Sequence, residues 1–425
     1  MNITRRSALQ RTAALSLGTA LSLPRLRAAD TDAAHRKLRV AVVALGRGFA
    51  HVTALLSLPD VEIAYLAEVD PKRLERGMKA VTDKQGSSCQ GVKDFRTFLD
   101  DKTLDAVFIA TPNFWHTPAA ILALKAGKHV YVEKPGSSNP YESELIVAAA
   151  KKYGKLVQMG NQRRTWMKDG IAALHGGAIG EVRYARSFYY NAREAIGQGK
   201  LKADPGIDMD LWQGPVTSDG NDIKPFVHYD WHWLWHWGNG ELGNNGIHFL
   251  DILRWGLKVE YPERVTYNGN RYWHEDKQET PDTGVAVYDC GKVGMEFVQS
   301  SCHTRSAEKP VGECVFYGEN GTLALSIPSW TVYDNKGVKV SEGKGSGGGD
   351  AAHIGNFLEA IRGNQKLNSP IEECQKSTML CHLGNIAYRT NTVVRVDPKT
   401  GKMLDNPAGE KLWKREYRPG FEPTI

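Results

Sequence analysis

Short apolar runs alternate with helix-like segments over the first third of the chain. The runs lie at 38–45, 61–67, 106–110, 130–132 and 156–159, and each stretch between them has the length or periodicity of a helix. Buried parallel strands are nearly continuous in apolar residues, and strand–helix alternation indicates right-handed crossovers. The pattern predicts an α/β domain over residues 36–158 with a doubly wound parallel sheet.

The pattern changes in the second half, where strand-like runs follow one another without helices between them. They lie at 181–191, 265–273, 283–288, 293–301, 312–317, 322–326 and 331–333. This predicts an α+β domain over residues 159–390 with a large, mostly antiparallel sheet. Helices are expected at 163–174, 351–362 and 371–389, a flexible linker at 343–350, and a C-terminal tail at 391–425 that wraps the surface.

A tryptophan-rich segment at 231–237 interrupts this domain. Trp231, Trp233, Trp235 and Trp237 alternate with other residues, so an extended strand would place all four indoles on one face. Such a face can be a platform for sugar rings. It can equally be a core strand or a subunit contact, because aromatic residues are frequent in both.

The first 29 residues have the order of an export signal. Arg5 and Arg6 form a twin-arginine start, an uncharged stretch at 12–23 follows, and Ala28 and Ala29 offer a cleavage site. We expect export by the twin-arginine machinery, for example to the periplasm; the alternative is a disordered basic tail. No apolar run after this segment is long enough for a membrane anchor.

Charge and cysteine content exclude some functions. The formal net charge of +6 falls to +1 when the five arginines of residues 1–29 are removed, so a nucleic-acid partner is not supported. A length of 425 residues with 41% apolar content favours two packed domains. The six cysteines show no metal-binding spacing, which predicts free thiols and no metal site.

A glycine turn follows the first predicted strand. Gly46 and Gly48, with Arg47 between them and Phe49 after them, precede a helix, and Glu68 ends the next strand 22 residues after Gly46. Glycines allow a pyrophosphate to approach the helix N-terminus, and an acid at this distance can bind a ribose 2′-hydroxyl. The unit predicts a Rossmann-type fold with NAD as cofactor. Lys72 and Arg73 leave NADP open.

Polar residues also follow the third and fourth long apolar runs. Thr111, Asn113 and His116 come after one, and Glu133 and Lys134 come after the other. Ligands of open parallel sheets bind at the carboxyl ends of the strands. The alternative for the charged pair is a solvated surface ion pair.

These motifs resemble the Gfo/Idh/MocA oxidoreductase family over residues 38–390. The matching residues are the glycine turn with His51, Thr111-Pro112-Asn113 with His116, Glu133-Lys134-Pro135, and 160–163. The resemblance implies that Lys134 contacts both the nicotinamide and the substrate, and that Thr111, Asn113, His116 and Glu133 help bind the cofactor. It also implies a homodimer or homotetramer formed through the second-domain sheet.

The family usually carries Asp-x-Gly-x-His-x-x-Asp in its second domain. Here Asn244 stands at the first acidic position, while His248 and Asp251 match. An amide cannot accept a proton, so we expect Asn244 to orient the substrate and His248 to be the base. A core histidine is the alternative for His248. Substrate contacts are expected from a further set: Arg163, Trp231, His232, Trp235 and Asp251.

The expected activity is NAD-dependent hydride transfer between the nicotinamide and a secondary alcohol or ketone of a sugar or polyol. Export of a folded protein would require tightly bound NAD. One alternative is therefore a redox-neutral glycosidase or other sugar-modifying enzyme acting by transient oxidation. Relatives of that type carry another residue at the motif lysine, which counts modestly against it. A catalytically silent sugar-binding protein is the other alternative.

Overall fold

The structure is a computed structural model that describes residues 37–199, 206–218 and 222–425. The described part belongs to one compact unit. The predicted export signal at 1–29 lies outside the described residues. Within them, no helix is both long and apolar enough to cross a membrane.

The first sheet has six strands in the order β3-β2-β1-β4-β5-β6, and all neighbouring strands are parallel. The prediction of a doubly wound parallel sheet is confirmed. Strand order reverses between β1 and β4, which is the place where such sheets open a crevice. The elements are β1 Leu38–Val43, α1 Gly48–Leu55, β2 Val61–Ala67, α2 Pro71–Gln85, β3 Gln90–Val92, β4 Ala106–Ile109, α3 Asn113–Lys125, β5 His129–Val132, α4 Pro140–Tyr153 and β6 Val157–Met159.

Local sequence signals explain where these helices begin and end. Asp70 caps α2 by accepting from the backbone N–H groups of Lys72 and Arg73, and the left-handed Gly86 ends it. The helix therefore ends at Gln85. Between β3 and β4 the chain forms only a short 3₁₀ turn, Phe95–Phe98.

The second sheet has ten strands in the order β14-β13-β12-β11-β7-β10-β9-β8-β15-β16. All pairs are antiparallel except β7 with β10. This confirms the predicted large, mostly antiparallel sheet. Its strands are β7 Val182–Tyr190, β8 Arg264–Asn270, β9 Thr283–Asp289, β10 Gly294–Ser300, β11 Cys314–Gly318, β12 Gly321–Ser326, β13 Ser329–Tyr333, β14 Lys339–Lys344, β15 Val394–Val396 and β16 Met403–Leu404.

Helices of the second half pack on both sheets. They are α5 Arg163–Trp166, α6 Lys168–His175, α7 Met209–Gln213, α8 Ile247–Leu257, α9 Gly349–Ile361, α10 Ile371–Thr390 and α11 Pro407–Glu410. Helix α9 returns to the first sheet, where Ile354, Phe357 and Leu358 join the apolar cluster around Val40 and Phe108. The ring of Phe357 packs edge-on against Phe108, with the ring centroids 5.6 Å apart.

Several predicted elements differ in the structure. Residues 163–174 form two helices, α5 and α6, and the predicted linker at 343–350 includes the end of β14 and the start of α9. Part of the predicted tail extends the second sheet as β15 and β16. The six cysteines are free thiols, as predicted.

The tryptophan-rich segment is not a strand, so that prediction is wrong. It forms a 3₁₀ turn, Asp230–Trp233, and further turn hydrogen bonds join Leu234 to Trp231 and Trp237 to Leu234. The indoles point to different neighbours, because backbone turns break the alternation of faces. Trp231 packs against Phe114, and Trp235 packs against Tyr388 on α10.

Candidate active site

A cavity of about 530 Å³ lies at the carboxyl ends of the first-sheet strands, and residues 211–212, 228–229, 231–232 and 244–245 of the second half close it. Its volume is in the range of small-molecule and cofactor sites. Most of the residues predicted for the site line it: Gly46, Arg47, Glu68, Thr111, Asn113, His116, Glu133, Lys134, Trp231, His232 and Asn244.

The glycine turn brings helix α1 close to the sheet. A Cβ atom on Gly48 would lie 3.1 Å from Val42 Cγ1 and 3.3 Å from the Cβ of Ala110, so glycine lets α1 start against β1 and β4. The first backbone N–H groups of a helix lack partners within it and suit a phosphate. Gly48 and Phe49 are not among the cavity-lining residues, and the Phe49 ring lies 3.9 Å from the Arg76 guanidinium.

Glu68 ties the glycine turn to the end of β2. Its carboxylate accepts the backbone N–H of Leu45 at 2.6 Å, of Val69 at 2.8 Å and of Asp70 at 3.0 Å. Burial raises the pKa of Glu68, and these amides partly offset that effect. A carboxylate has about four acceptor positions, so one remains for a ribose hydroxyl at the cavity wall.

The buried carboxylate of Glu133 contacts the glycine turn, helix α1 and the backbone of Lys134. Its Oε1 accepts from Arg47 Nε at 3.0 Å and lies 2.9 Å from His51 Nε2 on α1, and its Oε2 accepts from the backbone N–H of Lys134. Burial alone would raise the pKa of Glu133, but Arg47 and His51 outweigh it and hold the pKa well below its ordinary value. The carboxylate therefore fixes the glycine turn beside Lys134.

We expect Glu133→Gln to make thermal stability less sensitive to acid. A carboxyl whose pKa is depressed by folding stabilises the native state above its unfolded pKa, and that contribution is lost as pH falls through the folded pKa. The wild-type melting temperature should fall below about pH 4.5, and the variant should start lower at neutral pH and fall less steeply. The measurement is melting temperature against pH, with the exposed Glu75→Gln as control. Equal slopes in wild type and Glu133→Gln would contradict this role.

The residues after β4 form the facing wall. The side chain of His116 lies between the carbonyl oxygens of Thr111, at 2.8 Å, and Pro135, so it joins the ends of β4 and β5. Asn113 donates to the side-chain oxygen of Asn239 at 2.9 Å. The Thr111 hydroxyl oxygen is buried and has no protein partner, which leaves one hydrogen-bonding group available in the cavity wall.

Lys134 is held at the floor of the cavity by Asn244. Its Nζ donates to the backbone oxygen of Asn244 at 2.7 Å and to the side-chain Oδ1 at 3.1 Å. Asn244 lies in a π-helical turn, Leu242–Gly246, directly before α8, and its Nδ2 donates to the Tyr229 hydroxyl at 3.4 Å. Burial lowers the pKa of Lys134, and Glu133 works against that shift.

Two histidines flank Lys134 in different ways. His232 lines the cavity, stacks on Trp231 with ring centroids 3.7 Å apart, and has its Nδ1 2.6 Å from the Tyr229 carbonyl oxygen. Nδ1 must donate to that oxygen, so Nε2 is the acceptor. His248 is half-buried and outside the cavity-lining set, and its Nδ1 lacks a partner.

The electrostatic environment keeps both imidazoles neutral. Burial lowers the pKa of His232 to about 3, with a further contribution from Lys134. Burial, Lys134 and Arg163 hold the pKa of His248 well below its ordinary value. Each ring can therefore accept a proton, but neither carries charge at neutral pH.

Three predicted substrate contacts lie elsewhere. Asp251 is fully buried and accepts from Nε and Nη2 of the Arg164 guanidinium, at 2.7 and 2.8 Å. Arg163 pairs with Glu313 and is not among the cavity-lining residues. Trp235 lines a different cavity. These three predictions are corrected, because a sequence motif does not show which face of α5, α8 or the 3₁₀ turn meets the cavity.

The sequence patterns did not predict the residues that close the cavity, which we call its cover. Residues 192–230 were predicted as loop, but α7 forms within them because Asp208 caps it by accepting from the backbone N–H of Leu211. Trp212 lines the cavity and packs edge-on against Phe114, and His228 Nε2 lies 3.0 Å from the Asp70 carboxylate. A capping Asp three residues before Leu211 was the available signal for α7. Further unpredicted lining residues are Arg73, Lys93, Trp115 and Tyr229.

The site fits a nicotinamide dinucleotide. Backbone amides of the glycine turn at the cavity wall suit the pyrophosphate, and Glu68 retains an acceptor position for the adenosine ribose. The Thr111 hydroxyl, which lines the same cavity as Lys134, has no protein partner. Among the described residues, no group of three or more His, Cys, Asp or Glu side chains is arranged to hold a metal ion.

Comparison with known proteins agrees with this arrangement. Residues 38–161 match the family described as an oxidoreductase family with an NAD-binding Rossmann fold, and residues 216–324 match the GFO/IDH/MocA C-terminal domain. A glycosyl hydrolase family 109 protein of Saccharopolyspora erythraea is 29% identical over 204 residues, 44% of this chain and 44% of that protein. The dTDP-3,4-didehydro-2,6-dideoxy-alpha-D-glucose 3-reductase of Streptomyces antibioticus is 30% identical over 183 residues, 42% of this chain and 53% of that protein.

The matched segments thus span about half the length of these relatives. Among solved structures, the WlbA dehydrogenase from Bordetella pertussis, in complex with NADH and UDP-GlcNAcA, superposes with a TM-score of 0.64 at 19% identity and covers 87% of this chain and 100% of that one. This likeness shows the shared fold. The two family matches together cover more than half of the sequence, and the chain therefore belongs to the Gfo/Idh/MocA oxidoreductase family, with an NAD-binding Rossmann domain at its N-terminal side.

Proposed function

We propose that the protein oxidises a secondary alcohol of a sugar or polyol, or reduces the corresponding ketone, with NAD. The observation that carries this proposal is the position of Lys134, whose Nζ is held by Asn244 where cavity residues of both halves of the chain meet. When bound, NAD supplies the hydride acceptor or donor.

Lys134 and its neighbours supply the remaining requirements of the reaction. The ammonium of Lys134 stabilises negative charge on the substrate oxygen, and the buried position strengthens that interaction. We assign acceptance of the hydroxyl proton to His248, which is neutral and has an unpartnered Nδ1 but lies outside the residues that line the cavity. Asn244 orients Lys134 and has no proton to exchange at neutral pH.

His232 provides a second imidazole and a way to test this assignment. Its Nε2 is available as an acceptor in the cavity, and it orients a substrate hydroxyl in this proposal. We expect His248→Gln to lower kcat by about 10²-fold or more and to remove the acidic limb of the pH–rate profile. His232→Gln should mainly raise KM. The opposite pattern would transfer the base role to His232.

The cavity wall favours a substrate with both hydroxyl groups and apolar C–H faces. Trp231 and Tyr229 present aromatic surface, while Asn244, Asn245 and His232 present polar groups. The relatives also include an inositol 2-dehydrogenase of Salmonella paratyphi B. Sugars and cyclic polyols satisfy both features of this wall.

We further propose that NAD stays bound through the catalytic cycle and that the mature protein acts after export. The twin-arginine motif at residues 5–6 supports export, and the cover formed by α7 and His228 supports slow cofactor exchange. Redox-neutral glycoside cleavage is the second candidate, because one relative is a glycosyl hydrolase family 109 protein. A homodimer or homotetramer remains our proposal for the assembly.

A sugar panel distinguishes these activities. The protein, loaded with NAD, is mixed with sugars, polyols and aryl glycosides, and both nicotinamide absorbance and products are followed. Reduction of bound NAD by a sugar or polyol is the expected result. Release of the aryl group without net reduction would favour the glycosidase, and binding without either change would favour a silent sugar-binding protein.

A further inference from the structure

A second cavity of about 600 Å³ lies on the other side of the Asn113–Asn239 contact from the cofactor cavity. It is formed by the start of α4, the segment 235–239, α10 and residues 411–416 of the C-terminal tail. The residues important for its chemistry are Asn139, Trp235, Asn239, Arg389, Lys411 and Arg415.

Two guanidinium groups line this cavity without a carboxylate at ion-pair distance among the described residues. Among the described residues, neither Arg389 nor Arg415 forms an ion pair, and Arg415 makes only long hydrogen bonds to backbone oxygens, at 3.5 Å. Partial burial lowers the pKa of both side chains, and the negative charges of Glu279 near Arg389 and Glu142 near Arg415 only partly oppose that shift. The nearby Glu279 accepts the backbone N–H of Trp235 at 2.6 Å. The cavity is therefore suited to an anion.

The same cavity has an aromatic wall. The Arg389 guanidinium lies 5.1 Å from the Trp235 ring centroid, and the Tyr388 ring lies 6.1 Å from that of Trp235. Trp235 and Arg389 also line an adjoining groove of about 490 Å³, which includes Asn268 and Asn270. Aromatic faces beside amides and arginines match a ring with C–H faces, hydroxyl groups and a negative charge.

Two polar atoms in these walls are buried without a partner. They are Nδ2 of Asn139, which lines the cavity, and the hydroxyl of Tyr267, which lines the groove. An unsatisfied buried donor costs about 1–3 kcal/mol, so such atoms commonly mark a place where a ligand or water binds.

From this combination we propose that the second cavity binds an anionic saccharide, with its carboxylate or phosphate between Arg389 and Arg415 and a sugar face against Trp235. The site is distinct from the redox cavity and does not require the proposed activity. Asn239 connects the two, because its side chain accepts from Asn113 and its backbone oxygen accepts from Asn385 at 2.8 Å. A ligand that contacts Asn385 is thus linked through Asn239 to Asn113 in the wall of the cofactor cavity.

Calorimetric titration of the full-length protein tests the site. D-glucuronate and glucose 6-phosphate are the probes, with D-glucose, acetate and inorganic phosphate as comparisons. A Lys134→Met background removes the lysine of the redox cavity from the measurement. We expect both anionic sugars to bind in this background, and each comparison compound to bind at least about tenfold more weakly.

Single substitutions test whether the anionic sugars bind in the second cavity. Arg389→Gln and Arg415→Gln should each weaken glucuronate binding by about tenfold or more, and the exposed Arg395→Gln should leave it unchanged. Trp235→Leu should weaken the sugars more than inorganic phosphate, which separates a saccharide site from a simple phosphate site. If neither anionic sugar binds to the Lys134→Met protein, the proposal is overturned before any residue of the second cavity is changed. Equal binding of sugar phosphate and phosphate, or unchanged binding in both arginine variants, overturns it as well.

Discussion

Lys134→Met lowers kcat for sugar oxidation by about 10³-fold or more, while the protein still binds NAD. Lys134 lines the cavity in which the substrate is expected to bind, and Asn244 holds its ammonium with two hydrogen bonds. Methionine keeps a side chain of similar length but cannot stabilise an oxyanion. Because the side chain is largely buried, its interaction with a developing negative charge is screened less than it would be in bulk water.

The measurement is steady-state kinetics on the best substrate of the sugar panel, with nucleotide content determined on the same samples. Lys151→Met, at the exposed end of α4, is the matched control and should retain wild-type kcat. A Lys134→Met enzyme with near wild-type kcat and saturating NAD would show that Lys134 has no part in the chemistry.

Asp251→Asn destabilises the protein by about 3–5 kcal/mol and leaves substrate binding largely unaffected. Asp251 and Arg164 form a buried two-point ion pair, and Ser377 donates a further hydrogen bond to the same carboxylate at 2.6 Å. The neutral variant leaves a buried guanidinium without its counter-charge. The expected loss in melting temperature is roughly 5 °C, whereas the exposed Asp83→Asn should change it little.

A double variant distinguishes the effect of an unbalanced buried charge from a role of Asp251 in substrate binding. Arg164→Met with Asp251→Leu removes both charges, and it should recover most of the lost stability, because replacing a whole buried pair costs much less than breaking it. An Asp251→Asn protein with normal melting temperature and a strongly raised KM would restore the original assignment of Asp251 to the substrate.

The sheet at the base of the site was predictable because its strands are buried on both faces. A continuous apolar run such as 106–110 is compatible with few structures other than a buried strand. Polar residues directly after such parallel strands must lie at one edge of the sheet. Lys134 and Asn113 were placed in the cavity on that argument. The sheet against which α9 packs was not predictable, because an amphipathic pattern shows that a helix has a buried face but not which sheet covers it.

The remaining errors come from side-chain direction. Period-two alternation placed Trp231 and Trp235 on one face, but turn hydrogen bonds send them to different cavities. Glu68 was expected to serve only the ribose, and its three bonds to backbone amides depend on where Leu45 lies in space. Such contacts arise from the fold and leave no local pattern in the chain.

The cofactor carried by the protein tests the central claim most directly. Mature protein is purified without added nucleotide and denatured in acid, and the released compounds are identified and quantified by mass spectrometry. Our account predicts close to one NAD or NADH per chain. Protein that releases no dinucleotide, and then binds NAD only weakly when it is added, would contradict a resident cofactor and the redox function built on it.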